Sequence, residues 1–243
     1  MFFQCQKSKI LLFLSSNYQG LLLLSVSHKS VIYMESLTIA TLLYRPYIAG
    51  AASIDSNDPP LRHLIENLKS LKRATEFQLA NEATRSLYVE SFLVASVIHF
   101  ENDIILRPQK LLRGKTGRGP VDFSLESRPT GVQVGVTEIK KDDLRKGIAQ
   151  NAVQLETARK RKREDEDVDL KKSYGIVTDA RDWYFLRCEK GGDGRIQYSL
   201  SDPLIVELGK EVNSDHVKTV LERIIWLLGE MKKAEAEVEA ELS

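Results

Sequence analysis

At 243 residues the chain has room for one substantial domain and an extension beyond it. Its 42% apolar and 28% charged residues are those of an ordinary globular protein, which excludes a fibrous or wholly disordered chain. The formal net charge of +1 decides nothing about nucleic acid, so the distribution of charge along the chain has to be read instead.

Residues 1 to 33 differ from the rest. Ile10–Leu14 and Leu21–Val26 are apolar runs separated by Ser15, Ser16, Asn17, Gln19 and Gly20. Neither run approaches the ~20 residues a membrane helix needs. Three readings fit: a weak secretory signal with Lys7 and Lys9 before its apolar run, an extra hairpin, or an upstream extension from a mis-set start, with Met34 as the true start. The third is favoured, and residues 1–55 are read as an extension to a domain spanning 56–243.

Asp58 precedes Pro59 and Pro60 and is placed to cap a helix carrying Leu61, Leu64, Ile65, Leu68 and Leu71 at helical spacing. A second helix is expected from about Glu76 to His99, with Leu87, Phe92, Leu93, Ser96 and Val97 on its apolar stripe. After Asn102 the period changes. Short strands are expected at Ile104–Arg107, Pro120–Leu125 and Val132–Lys140, with a basic, glycine-rich loop or hairpin at Lys110–Gly119 and a turn at Ser127–Gly131. Asp142 or Asp143 caps a helix from Leu144 to about Arg159. A run of mixed charge leads to strands at Tyr174–Thr178, Trp183–Cys188 and Arg195–Leu200. A long helix from Ser214 to Glu241 closes the chain, its apolar face formed by Val217, Val220, Leu221, Ile224, Ile225 and Leu228. The pattern is α/β, with a mixed central sheet and flanking helices.

Cys5 and Cys188 are the two cysteines, far apart and without a CxxC pair, which excludes a zinc ribbon and a disulfide scaffold and suits a reducing compartment. None of the four histidines stands at ligand spacing with another, so a bound metal would take oxygen ligands, as magnesium and manganese do. Basic residues cluster between Arg107 and Arg163, while the end of the chain is acidic. A neutral total thus conceals a basic middle.

Side chains alternate across a strand, so Glu138 and Lys140 project to one face at the end of a valine-rich run. Asp122 is a single acid among apolar neighbours on the preceding strand, and a turn at Ser127–Gly131 would bring it beside Glu138. Two carboxylates and an ammonium supply what phosphodiester hydrolysis needs: a hard-cation site and a group that acts on the attacking water. Taken alone, a Glu-x-Lys at a strand end is usually solvated surface. The three residues in order, followed by Gln154, outweigh that bland reading.

Gly119-Pro120-Val121-Asp122, then Glu138-Ile139-Lys140, then a helix with Gln150 and Gln154, resembles the active-site pattern of PD-(D/E)xK nucleases. The segment Gly147–Leu155 is similar to the nuclease domain of crinkler-type effectors and related fungal proteins. The resemblance covers roughly Glu82 to Tyr198. It implies a restriction-endonuclease-like fold, with magnesium or manganese held by Asp122, Glu138 and the carbonyl of Ile139. Lys140 would act on the nucleophilic water, and Gln154 would orient the lysine or the water. Glu82 is the candidate for a further acid from the preceding helix, with Glu90 behind it. The family's tyrosine would fall at Ala158, which departs from the RecB-like subtype. The implied substrate is nucleic acid, DNA before RNA, with Lys115, Arg118, Lys141 and Gln150 as candidate contacts and a homodimer admitted. Arg159–Arg163 reads as a nuclear localisation run, a helix end or a phosphate patch. The implied place is the host nucleus after secretion, otherwise the cytoplasm. The rival reading is a catalytically inactive nuclease-fold effector that binds DNA or protein.

Overall fold

A computed structural model describes residues 44–77, 81–113, 118–141, 143–163, 166–208 and 211–242. Helices α1 (Pro59–Ala74), α2 (Glu82–Ile98), α3 (Leu144–Arg159) and α4 (Ser214–Leu242) surround one large sheet. Its strands are β1 (Tyr44–Pro46), β2 (Ile104–Pro108), β5 (Phe123–Ser127), β6 (Gln133–Ile139), β9 (Lys172–Thr178), β10 (Asp182–Lys190) and β11 (Ile196–Leu200), and their spatial order is β1-β11-β10-β9-β6-β5-β2. β12 (Leu204–Ile205) pairs with β10 off this path. The pairs β6–β9 and β1–β11 are parallel and the others antiparallel. Two separate hairpins, β3–β4 (Leu111–Arg113 and Arg118–Pro120) and β7–β8 (Lys160–Arg163 and Glu166–Asp169), complete the set. This is the mixed α/β class with a helix-flanked central sheet that the sequence leads one to expect.

Helix boundaries follow their caps. Asp58 accepts the Leu61 N–H at 3.0 Å and starts α1, and Asp143 accepts the Lys146 N–H at 2.9 Å and starts α3. The second helix starts later than Glu76, because Asn81 is the cap and accepts the Thr84 N–H at 2.8 Å. Its buried face is Tyr88, Val89, Phe92, Leu93, Ala95 and Ser96, whereas Leu87, expected on the apolar stripe, is 44% exposed. The α4 face is as expected, with Val217, Val220, Leu221, Ile224, Ile225 and Leu228 all buried.

Each face of the sheet carries its own core. The larger cluster joins α1, α2 and α4 to the sheet through Leu64, Phe92, Ile176, Trp183, Phe185 and Leu228. The smaller lies under α3 and includes Val136, Ile148, Leu155, Val177 and Leu186. Trp183 and Phe185 are therefore core residues. Of the extension assigned to residues 1–55, residues 44–54 lie within the fold. β1 pairs with β11, the Ala52 N–H donates to the Glu222 carbonyl at 3.0 Å, and Tyr47 and Ala49 are buried. The three readings of residues 1 to 33 lie outside the described residues.

Two further expectations change. Asp122 is not within a strand but in the bend between β4 and β5, where the chain leaves the β3–β4 hairpin for the main sheet. The charged run after Arg159 is not a helix end but the β7–β8 hairpin. Its backbone register pairs Lys160 with Asp169, Arg161 with Val168, Lys162 with Asp167 and Arg163 with Glu166.

Helix α3 approaches the sheet closely because Gly175 has no side chain. A Cβ there would stand 2.0 Å from Asn151 Oδ1 and 3.1 Å from Leu155 Cδ1, and both residues are fully buried. Gly175→Ala is expected to lower stability by about 1–3 kcal/mol, measured as a fall in the urea midpoint at unchanged m-value.

Candidate active site

The site lies at the carboxyl end of the parallel pair β6–β9, where open α/β sheets place their ligands. The antiparallel β5–β6 pair has Phe123 opposite Thr137, which brings the next residue outward, Asp122, to the Glu138–Ile139 step. Asp122 Oδ2 accepts the Ile139 N–H at 2.7 Å, and Oδ1 accepts from Gln109 Nε2 at 3.3 Å. Glu138 is only 2% exposed. One of its oxygens is 2.7 Å from Lys140 Nζ, and the other accepts from Gln154 Nε2 at 2.8 Å. Lys140 also reaches Glu82 Oε1 at 3.3 Å. Acids from β6, the bend before β5 and the first turn of α2 therefore converge on one lysine.

Burial is the main electrostatic fact. Together with the Asp122 charge it pushes the Glu138 carboxyl up to about 7, although Lys140 and Gln154 pull it down. Burial also raises Asp122 above the usual carboxylate range, against the pull of the Ile139 N–H and Lys140. For Lys140 burial opposes the charge, but Glu138, Glu82 and Asp122 outweigh it and hold the ammonium above its ordinary value.

A second layer holds these groups. Gln154 is fully buried on α3, and its Oε1 accepts from Asn151 Nδ2 at 3.4 Å. That leaves its amide nitrogen for Glu138. Gly147, in the first turns of α3, lets the helix lie on the Lys140 stem, because a Cβ there would meet Lys140 Cγ at 2.7 Å. The Lys140 N–H donates to the Thr178 carbonyl at 3.0 Å. The turn after β9 is tied to α2 by Arg85, which reaches the Asp179 carbonyl at 2.6 Å and Oδ2 at 3.0 Å.

Of the residues singled out by sequence, the structure brings together Asp122, Glu138, Lys140, Gln154 and Glu82. Gln154 is bonded to Glu138 and not to the lysine. Glu82 is turned to Lys140, and among the described residues no group of three or more His, Cys, Asp or Glu side chains stands close enough to hold a metal ion. Gln150 is half-buried one turn before Gln154, Glu90 is half-buried within α2, and Lys141 is exposed beside Lys140. Arg118 begins β4, next to the bend that carries Asp122, and Lys115 lies outside the described residues. Sequence reasoning missed Gln109, Asn151, Arg85 and Asp179. The one signal it could have used is Gly147, a glycine inside an otherwise helical run.

Fold and site together define an α/β protein with an acidic pair and a lysine at the end of a central parallel strand. No known family model matches the chain. Over 192 residues, 77% of its length, it is 40% identical to Crinkler effector protein 1 of Rhizophagus irregularis (strain DAOM 181602 / DAOM 197198 / MUCL 43194). This chain is a homologue of that crinkler effector and spans 41% of its length. The solved type IIG restriction endonuclease BpuSI aligns with 61% of this chain and 16% of its own, at 12% identity and a TM-score of 0.39, too low for the likeness to carry weight.

A carboxyl raised from 4.5 to about 7 in the fold holds its proton more tightly folded than unfolded. Its stabilising contribution is therefore complete below about pH 4.5 and is lost as pH rises through about 7. With divalent ions chelated, wild type should lose up to about 3 kcal/mol of stability across that window relative to Glu138→Gln. Urea titrations at a series of pH values measure it, and parallel curves would refute it.

Proposed function

We propose that this chain is a divalent-metal-dependent nuclease of the PD-(D/E)xK type, hydrolysing nucleic-acid phosphodiester bonds, of DNA before RNA. The observation that carries the reading is the convergence of Asp122, Glu138 and Lys140 on one spot from two stretches of chain.

The donor set fits a hard cation. Two carboxylates share the site, each raised by burial, and the charge of Asp122 adds to the strain on Glu138. The single ammonium of Lys140 offsets one negative charge of the two, so a cation has a place there. Magnesium or manganese would be held by Asp122 and Glu138 with the carbonyl of Ile139 between them, and Glu82 at the rim is the candidate for a further ligand. When bound, such an ion neutralises charge on the scissile phosphate and lowers the pKa of a water.

The chain's own groups do the rest. Lys140 orients the attacking water and offsets the negative charge that builds on the phosphate oxygens. Gln154 keeps Glu138 turned toward the site. Lys115, Arg118, Lys141 and Gln150 contact the phosphate backbone, which gives affinity without sequence choice. Action as an effector, entry to the nucleus through the Arg159–Arg163 run and pairing as a homodimer belong to the same proposal. The relative's name supports the first of these.

A second reading, an inactive nuclease-fold module that binds DNA or protein, has one observation on its side. Glu82 points to the lysine, leaving two acids at the site.

Nicking of supercoiled plasmid separates the two. Wild type should cut with magnesium or manganese and not with EDTA, and Asp122→Ala and Lys140→Ala should each cut about 10²–10⁴-fold more slowly. A folded wild type that leaves plasmid, single-stranded DNA and RNA intact yet retards DNA in a gel supports the binding module. Cleavage of RNA alone changes the substrate and keeps the chemistry.

A further inference from the structure

Among the described residues, two that are not glycine have positive φ, Gln109 at 49° and Ala180 at 74°. Left-handed backbone is costly for any residue with a Cβ, and glycine or asparagine occupies it more easily. Packing accounts for Ala180, whose side chain is fully buried in the larger core. It does not account for Gln109, which is exposed.

Backbone geometry does not account for it either. Gln109 is the corner at which the chain leaves β2 for the β3–β4 hairpin. Its N–H donates to the Asp122 carbonyl at 2.8 Å, and the next carbonyl, of Lys110, accepts the Val121 N–H at 2.9 Å. Glycine would make the same two bonds with less strain. What glycine lacks is the side-chain amide, which donates to Asp122 Oδ1 at 3.3 Å. The other Asp122 oxygen is held by the Ile139 N–H. With one donor on each oxygen, the plane of the carboxylate is fixed.

We infer that Gln109 is a positioning residue for Asp122, kept in a strained corner for its side chain. The inference rests on the proposed role of Asp122. Strain that persists where a cheaper residue would serve is a feature of functional sites. Gln109 acts through Asp122 on the orientation of the cation-binding oxygens and takes no part in bond making.

Gln109→Gly separates side chain from backbone, and Gln109→Asn keeps a residue that tolerates the corner but shortens its reach. Both are made in the full chain and compared with wild type by thermal unfolding, by manganese binding in a calorimeter and by plasmid nicking. Gln109→Gly is expected to melt at the wild-type temperature or up to about 4 °C higher. Manganese affinity and nicking should fall about 10–100-fold in both variants. A stable Gln109→Gly with wild-type affinity and nicking overturns the inference and leaves Gln109 as a corner only. A Gln109→Gly that melts well below wild type overturns it too, because the side chain is then a structural strut. Wild type that neither binds manganese nor cuts removes the nuclease reading first, and the inference with it.

Discussion

A carboxylate exposed over 2% of its surface cannot keep its charge unaided, and the provision made for Glu138 organises this molecule. Lys140 meets one oxygen and Gln154 the other. Gln154 can do so because Asn151 occupies its carbonyl. Asn151 in turn fits because Gly175 has no side chain, and the lysine stem fits under α3 because Gly147 has none. The close seat of α3 on the sheet thus brings Gln154 and the lysine stem together around one acid.

The opposite face supplies a different support. Helix α2 is packed in the larger core by Tyr88, Phe92 and Leu93, so its first turn is delivered to the site as part of a rigid body. Glu82 then meets Lys140 across 58 residues of sequence, and Arg85 meets Asp179 across 94. Arg85 also lies over the Phe77 ring, 5.0 Å from its centroid. Contacts of this range form only when the fold is complete, so assembly of the site reports on both cores at once.

Much of this was legible in the chain, for reasons that can be named. Alternation put Glu138 and Lys140 on one face, the turn at Ser127–Gly131 returned β6 along β5, and the caps at Asp58 and Asp143 fixed two helix starts. These are local rules, and they succeed where local preference and tertiary packing agree. They fail where a residue answers to a distant neighbour. Nothing near Tyr44 signals a partner at Tyr198, and nothing near Asn151 signals an empty space at Gly175. The run after Arg159 reads as a localisation signal, a helix end or a phosphate patch, and only its pairing with Glu166–Asp169 makes it a strand. Asp122 was expected within a strand and lies in a bend, because a bend made by Gln109 and Asp122 together has no signature in either segment alone.

The sheet ends at β2, and among the described residues no strand pairs with its outer side. An open edge invites a neighbouring molecule to add its own strand, and that is how folded proteins begin to aggregate. Here the edge carries Arg107 and Pro108, a charge that resists dehydration and an imino acid with no N–H to offer. The buried carboxylate of Glu126 draws in Lys110 and lies 3.8 Å from Arg107, so two cations gather along the rim. The segment that leads to Gln109 is therefore also a barrier to strand addition at this edge. Neutralising Lys110 in the course of engineering the site would also take from the buried Glu126 its nearest cation and so loosen the edge itself.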